Sequence, residues 1–311
     1  MDVSASPFHA DELVAQARAG SAARGAGIRN FMPDQHRSFF ELLRYLFVAT
    51  ADAEGWPLAT MLTGTPGFVY SPDPATLRVD ALPDGQDPAV PTLGDGREVG
   101  ILGLDLSTRR RNRANGQIAS LDDGGFTVAV RQSFGNCAKY IQRRAPHRVP
   151  PAAGSTDWLD GLDAEARALV AQADTLFVAS RSRPEIGAAG GLDVSHRGGR
   201  PGFVKVDGDM LVVPDFAGNR FYNTLGNLLG DPRAALLFID FATGDLLQLQ
   251  GLATIDWSPD AARLIEGAER AWRFAVTRGW RRRAATPLRW SFLDYSPATL
   301  GTGTWDGVRS A

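Results

Sequence analysis

The chain has 311 residues, 44% hydrophobic and 22% charged, with a formal net charge of −2. That apolar fraction excludes a disordered chain, the length predicts about two domains, and the charge balance excludes a general affinity for nucleic acid or acidic lipid. Cys137 is the only cysteine, which excludes an intramolecular disulfide, a cysteine zinc site and an iron–sulfur cluster. Arginine outnumbers lysine 31 to two, so an Arg cluster carries little weight by itself. Residues 1–20 lack the apolar core of a signal peptide, and the longest apolar run, 234–239, is too short to cross a bilayer. A soluble, cytoplasmic protein is expected.

In chain order the first helix is predicted over 34–45, after Pro33, with Phe39, Leu42, Leu43 and Leu46 at helical spacing. A strand, Leu46-Phe47-Val48-Ala49, follows, then a Gly-rich turn, a Gly-Phe-Val strand at 67–69 and a further strand at 77–79. A hairpin closes the set, with 99–106 running back towards Ile118. The succession then repeats. Leu176-Phe177-Val178-Ala179 stands 130 residues after the first such block, and Pro201-Gly202-Phe203-Val204 stands 135 after Pro66-Gly67-Phe68-Val69. The 135-residue spacing holds for Asp105 and Asp240, Thr108 and Thr243, and Gly116 and Gly251, which reads as a tandem duplication. The second copy offers a helix over 163–173, a strand at 210–213 and a hairpin of 234–241 with 246–255. The Pro-, Ala-, Gly- and Ser-rich stretch 146–157 marks the join, giving domains 1–150 and 151–311. Short strands joined by tight turns predict an antiparallel barrel in each copy. A long helix is expected at 258–275, with Ser258 as cap, Pro259 at its first turn and Leu264, Ile265, Ala268, Ala271, Trp272 and Ala275 as a core stripe.

The chemistry-bearing stretch runs from Asp193 through Ser195, His196, Arg197 and Gly198 to Lys205, and resumes from Val213-Pro214 through Gly218, Asn219, Arg220, Asn223 and Thr224 to Asn227. Hydroxyl, guanidinium and open backbone N–H groups in the first part suit a phosphate, which needs several charge-assisted donors converging on one point. The second part reads as a turn entering a helix, with Asn219 as its cap, and a helix start with free N–H groups is an anion seat. A plain turn and a ligand-free cap are the competing readings. The first copy keeps the Pro-Gly-Phe scaffold at 66–68 without Ser-His-Arg, and 81–85 lacks Asn-Arg-x-x-Asn-Thr. Shared residues therefore read as architecture and the polar set as function.

The run Ser195-His196-Arg197-Gly198, Pro201-Gly202-Phe203-Val204-Lys205, Pro214-Asp215, Gly218-Asn219-Arg220, Thr224-Leu225-Gly226-Asn227 and Gly251-Leu252-Ala253 resembles the pyridoxamine 5′-phosphate oxidase-like, FMN-binding split-barrel superfamily. It is closer to the branch of FMN-dependent enzymes than to the true oxidase, whose carboxyl-terminal Trp/Arg pattern is not matched. The blocks 31–40, 109–116 and 132–137 resemble the amino-terminal module of flavoproteins fused to ferredoxin-reductase domains. The resemblance implies a mainly β fold with helices (α+β): two tandem six-stranded split barrels forming a pseudo-dimer, with FMN in the groove between them. It implies a phosphate held by Ser195, Arg197, Asn219, Arg220 and Thr224, with His196, Gly198, Pro214 and Asn223 in the same motif and the backbone of Phe203, Val204 and Lys205 beside the flavin ring.

Arg109, Arg111 and Arg113 alternate after a hairpin turn. Arg111 and Arg113 are candidates to reach across to the flavin phosphate or an anionic substrate; the competing reading, which the general Arg excess favours, is a solvated, charged edge strand. Arg281, Arg282 and Arg283 read as a solvated helix end. His196 is a weak candidate proton donor, equally a phosphate contact. Cys137 reads as a small buried hydrophobe, and the scattered His9, His36 and His147 give no metal spacing. The flavin would carry the electron chemistry, with hydride arriving at N5 and a cation, Arg111, Arg113 or Lys205, stabilising charge near N1 and O2. No Gly-x-Gly-x-x-Gly follows a strand, so NAD(P)H docks transiently or a reductase delivers electrons. The expected partners are a small-molecule substrate and that electron donor, with homodimerisation open. The rival classes are a non-catalytic flavin- or haem-binding module and a silent partner of a separate reductase.

Overall fold

A computed structural model describes residues 6–23 and 27–305. The helices are short: α1 Ala10–Arg18, α2 Asp34–Glu41, α3 Ala164–Gln172, α4 Asn223–Gly230 and α5 Pro297–Leu300. The first half holds strands β1 Tyr45–Ala51, β2 Pro57–Thr63, β3 Val69–Asp73, β4 Thr76–Val79, β5 Glu98–Asp105, β6 Arg110–Asp122 and β7 Gly125–Gly135. After β8 Arg143–Arg148 and β9 Ser155–Leu159 come β10 Thr175–Arg181, β11 Leu192–Gly198, β12 Lys205–Asp207, β13 Met210–Phe216, β14 Arg233–Ile239, β15 Leu246–Asp256, β16 Ala268–Arg283 and β17 Leu288–Asp294. The chain is mainly β and its sheets are antiparallel. Among the described residues no helix is long and apolar enough to cross a membrane.

The first sheet has the strand order β2-β1-β5-β6-β7-β4-β3 and the second β11-β10-β14-β15-β16-β13-β12, with β9 added beside β16. The orders correspond strand for strand, and neither path closes on itself. The first sheet has seven strands and the second eight, where the resemblance implied six per barrel. The correspondence extends to irregularities. A bulge on β7 at Arg131 shifts its register opposite Asn115 and Gly116 of β6, and one on β16 at Thr277 does so opposite Gln250 and Gly251 of β15. A methyl group on Gly116 would lie 2.0 Å from the Ala129 carbonyl oxygen, and one on Gly251 2.2 Å from that of Ala275, so both bulges require glycine.

Alternation along the strands builds three large cores and, at Val212, Ala261 and Ala271, a small fourth cluster among the described residues. Leu46 and Val48 of β1 enter a cluster inside the first half with Phe39, Phe40 and Phe126, and Leu176 and Val178 of β10 enter one in the second half with Phe203 and Trp272. The intervening Phe47, Ala49, Phe177 and Ala179 enter a third cluster that joins the halves. At its centre Phe47 stacks on Phe177, ring centroids 3.6 Å apart. These two residues occupy corresponding positions in the two matching strand orders, and β8 and β17, which follow β7 and β16, pair with each other in a separate two-stranded sheet. Strands buried on both faces show no polar alternation, which is why the Leu-Phe-Val-Ala blocks read as unbroken apolar runs.

Several expectations are overturned. The helix expected over 258–275 is a short 3-10 turn, Ala261–Arg263, followed by the 16-residue strand β16. Ser258 is not the cap, a place Asp260 takes; its hydroxyl accepts from the Ala261 N–H at 3.3 Å in a local turn, and Gly267 takes φ +81° just before β16. Beyond it Trp272, Phe274 and Val276 alternate into the core, so a period of two prevails once β13 and β15 are available on both sides. β2 was not foreseen, and β11 was expected as a loop. α2 stops at Glu41, short of 45. Of the first Gly-Phe-Val segment only Val69 is in a strand, as the first residue of β3, and the second is a turn that precedes β12. Arg281 and Arg282 are not solvated: they end β16, are buried, and pair with Asp163 and with Asp84 and Asp87.

Candidate functional site

A cleft open to solvent lies between the two halves. From the first half Arg111 and Arg113 of β6 enter it with Asn136, Cys137, Lys139 and Tyr140, which follow β7. From the second half come Ser195, His196, Arg197 and Gly198 of β11, Pro214 and Asp215 of β13, and Gly218, Asn219, Arg220, Tyr222, Asn223 and Thr224 leading into α4. Five of the lining residues are basic and two, Asp215 and Glu269, are acidic. Both acids are paired with Arg270 behind the wall, so the cleft presents excess positive charge.

Ser195 and Arg197 share a face of β11. The Ser195 hydroxyl is hydrogen-bonded to that of Thr224 in the first turn of α4, both buried. Arg197 donates through Nη1 to Asp215, whose other oxygen accepts from Arg270. Because β11 is a strand paired with β10, side chains replace the expected loop of open N–H groups as donors. A side chain at Gly198 would strike the Tyr140 carbonyl oxygen at 2.0 Å, so glycine permits the first half to close over the end of β11.

Arg113 is buried, 3.1 Å from Asp193 and 3.4 Å from the Asn223 side-chain oxygen. Asn223 in turn donates to Glu12 of α1, and burial raises the Glu12 carboxyl to about 7. Arg111 donates to the Cys137 carbonyl at 2.9 Å and lies 3.4 Å from His196 Nδ1. Burial brings Arg111 down to about 10, still a cation at neutral pH. Burial, reinforced by Arg111, Arg197 and Arg144, holds His196 well below its ordinary value, so its imidazole is neutral. These positions overturn the solvated-edge reading for Arg111 and Arg113: β6 lies between β5 and β7, and these two arginines face inward across the junction while Arg110 is exposed.

The helix start differs from expectation. Asn219 accepts from the Phe221 N–H at 3.1 Å within the loop, and Tyr222, not Asn219, precedes α4. Arg220 stands exposed at the mouth. Arg220 and Tyr222 have φ of +62° and +60°, and Tyr140 opposite has +62°. Three left-handed non-glycine residues around one cleft concentrate backbone strain there. Phe203 and Val204 are buried in the second core and do not line the cleft, nor does Lys205, whose ammonium lies 6.0 Å from the Trp305 ring. Their placement follows from β12 being the far edge of the sheet. Cys137 is half-buried beside Arg111 rather than a core hydrophobe. Asp215, Asn136, Tyr140 and Glu269 were given no role from sequence; Asn136 stood within a quoted block, but left-handed Tyr140 leaves no mark in composition.

Polar atoms remain over. Arg113 Nε, Arg197 Nε, His196 Nε2 and Asn136 Oδ1 are buried without a protein partner. Such atoms carry an unrecovered desolvation cost unless a ligand meets them. Clustered donors, a helix start and hydroxyls fit the phosphate and polar edge of FMN.

No family model matches the chain, and no curated protein matches it. Among solved structures it is similar to HupZ of Group A Streptococcus, at 14% identity over 38% of this chain and 91% of that one, with a TM-score of 0.29. An FAD-binding protein of Mesorhizobium loti matches at 11% identity over 42% of this chain and 99% of that one, TM-score 0.28. General Stress Protein 26 of Bacillus anthracis matches at 15% identity over 42% and 96%, TM-score 0.22. Each spans less than half of this chain.

Proposed function

We propose that the cleft binds FMN through its phosphate and that the chain is an FMN-dependent oxidoreductase. The observation that carries this reading is the convergence of Arg111 and Arg113 from one half with Arg197, Ser195, Thr224 and the start of α4 from the other. In this reading the halves, divided near residue 150, are two split barrels arranged as a single-chain pseudo-dimer; the matching strand orders and the Phe47–Phe177 stack support it. Bound FMN would supply hydride and single-electron transfer. The chain's own residues hold and orient it: Arg197 and Arg113 neutralise the phosphate, Ser195 and Thr224 donate hydroxyls, and Arg111 keeps a cation in the cleft. His196, neutral at physiological pH, offers Nε2 as a hydrogen-bonding atom without adding charge. Substrate and electron donor, NAD(P)H or a reductase, would reach the cleft from its open side.

The test is the absorption spectrum and mass of whatever copurifies, followed by titration of the stripped protein with FMN. Flavin maxima and a one-to-one complex support the reading, whereas a Soret band or indifference to FMN would refute it. Oxidation of NAD(P)H with oxygen or an artificial acceptor then separates an enzyme from a carrier.

A further inference from the structure

The strand correspondence assigns five cleft residues, Ser195, Arg197, Arg111, Arg113 and Asn136, counterparts on the matching strands, and there the positions are filled. Through the matched registers Ser195 of β11 corresponds to Thr60 of β2, Arg113 of β6 to Gln248 of β15, and Asn136, which continues β7, to Arg282 of β16. Thr60, Gln248 and Arg282 all converge on one group, the carboxylate of Asp87. The Thr60 hydroxyl donates to it, Gln248 Nε2 lies 3.3 Å away, Arg282 Nη1 2.6 Å and the Ala89 N–H 2.9 Å. Asp87 is 3% exposed. Arg282 also pairs with Asp84, which ties the same loop across the junction.

We propose that Asp87 is a built-in substitute for the ligand's anionic group, occupying a second anion site related to the cleft by the internal duplication. Three donors that in the second half surround an open cleft here close around the chain's own carboxylate. The remaining changes agree: Arg197 and Arg111 correspond to Leu62 and Leu246, both buried, so the first-half position keeps one arginine and an internal countercharge instead of an excess of cations. An oxyanion, phosphate or carboxylate, is the chemistry this position takes, and its occupation by Asp87 leaves one ligand site per chain. The stoichiometry rests on the FMN reading; the filled anion site does not.

The experiment replaces Asp87 with Gly and follows thermal unfolding while formate, and separately inorganic phosphate, is added up to 50 mM. Loss of the carboxylate should lower the midpoint, and either anion should recover at least half of the drop while moving the unsubstituted protein by under 1 °C. A variant whose midpoint responds to neither anion beyond the unsubstituted protein overturns the proposal. If Asp87→Gly does not fold, Asp87→Ser gives the same readout with less lost packing. Flavin stoichiometry on the unsubstituted protein distinguishes the two readings: two flavins per chain overturn the plug, while no flavin overturns the FMN reading and leaves anion rescue to decide the plug.

Discussion

Arg197→Ala separates the phosphate contact from the fold. Arg197 is about one-fifth exposed and pairs with Asp215, whose second oxygen is held by Arg270. Its removal therefore leaves no buried carboxylate without a cation, and the cost to folding is about 1 kcal/mol, a Tm shift of about 2–4 °C. A charge-assisted bond to phosphate contributes about 1.5–3 kcal/mol, so FMN should bind roughly 10- to 150-fold more weakly. Riboflavin has the same ring without the phosphate, and its affinity should change by less than about threefold, a difference of under 1 kcal/mol. Fluorescence quenching of each flavin on titration reads both constants. Equal losses for FMN and riboflavin would place the phosphate elsewhere, and an unchanged FMN constant in a folded variant would remove Arg197 from the site.

Gly116→Ala and Gly251→Ala each force a methyl group against a backbone carbonyl oxygen, and each should cost about 3 kcal/mol by chemical denaturation; neutrality of either would show that the bulge is not needed. Phe47→Ala and Phe177→Ala should each cost about 3–5 kcal/mol, and the double variant less than their sum, since one deletion already empties the stack. Additive losses would contradict direct packing across the junction. Burial raises the Glu12 carboxyl to about 7 from 4.5, so the folded state binds the extra proton and Glu12 costs stability as pH rises from 4.5 through 7, by about 3 kcal/mol in all. Glu12→Gln should flatten the stability profile over that window, read from urea melts at pH 5 and pH 8, and an unchanged slope would refute the assignment.

Legibility differed by element. The hairpins β5–β6 and β14–β15 were readable because short apolar runs flank turn residues, and α3 because Asp163 caps it, accepting from Ala166 N–H at 2.8 Å. β16 was misread because Leu264, Ile265, Ala268, Ala271, Trp272 and Ala275 satisfy a helical period while Trp272, Phe274 and Val276 satisfy a strand period. Only the neighbours β13 and β15 break that tie. Arg111 and Arg113 were named, but the half-burial of the first and the burial of the second were not legible, since nothing local distinguishes a central strand from an edge.

The amino-acid sequence by itself determined the recurring spacing of 130–135 residues, the mainly β character and the confinement of Ser195, Arg197, Asn219 and Thr224 to the second half, because these rest on spacing and residue type along the chain. Tertiary structure alone decided which residues meet. Arg113 reaches Asn223 across 110 positions and Gln248 reaches Asp87 across 161. Such contacts arise only when two sheets pack face to face. That packing leaves one related position open and lined with cations, and closes the other around a carboxylate.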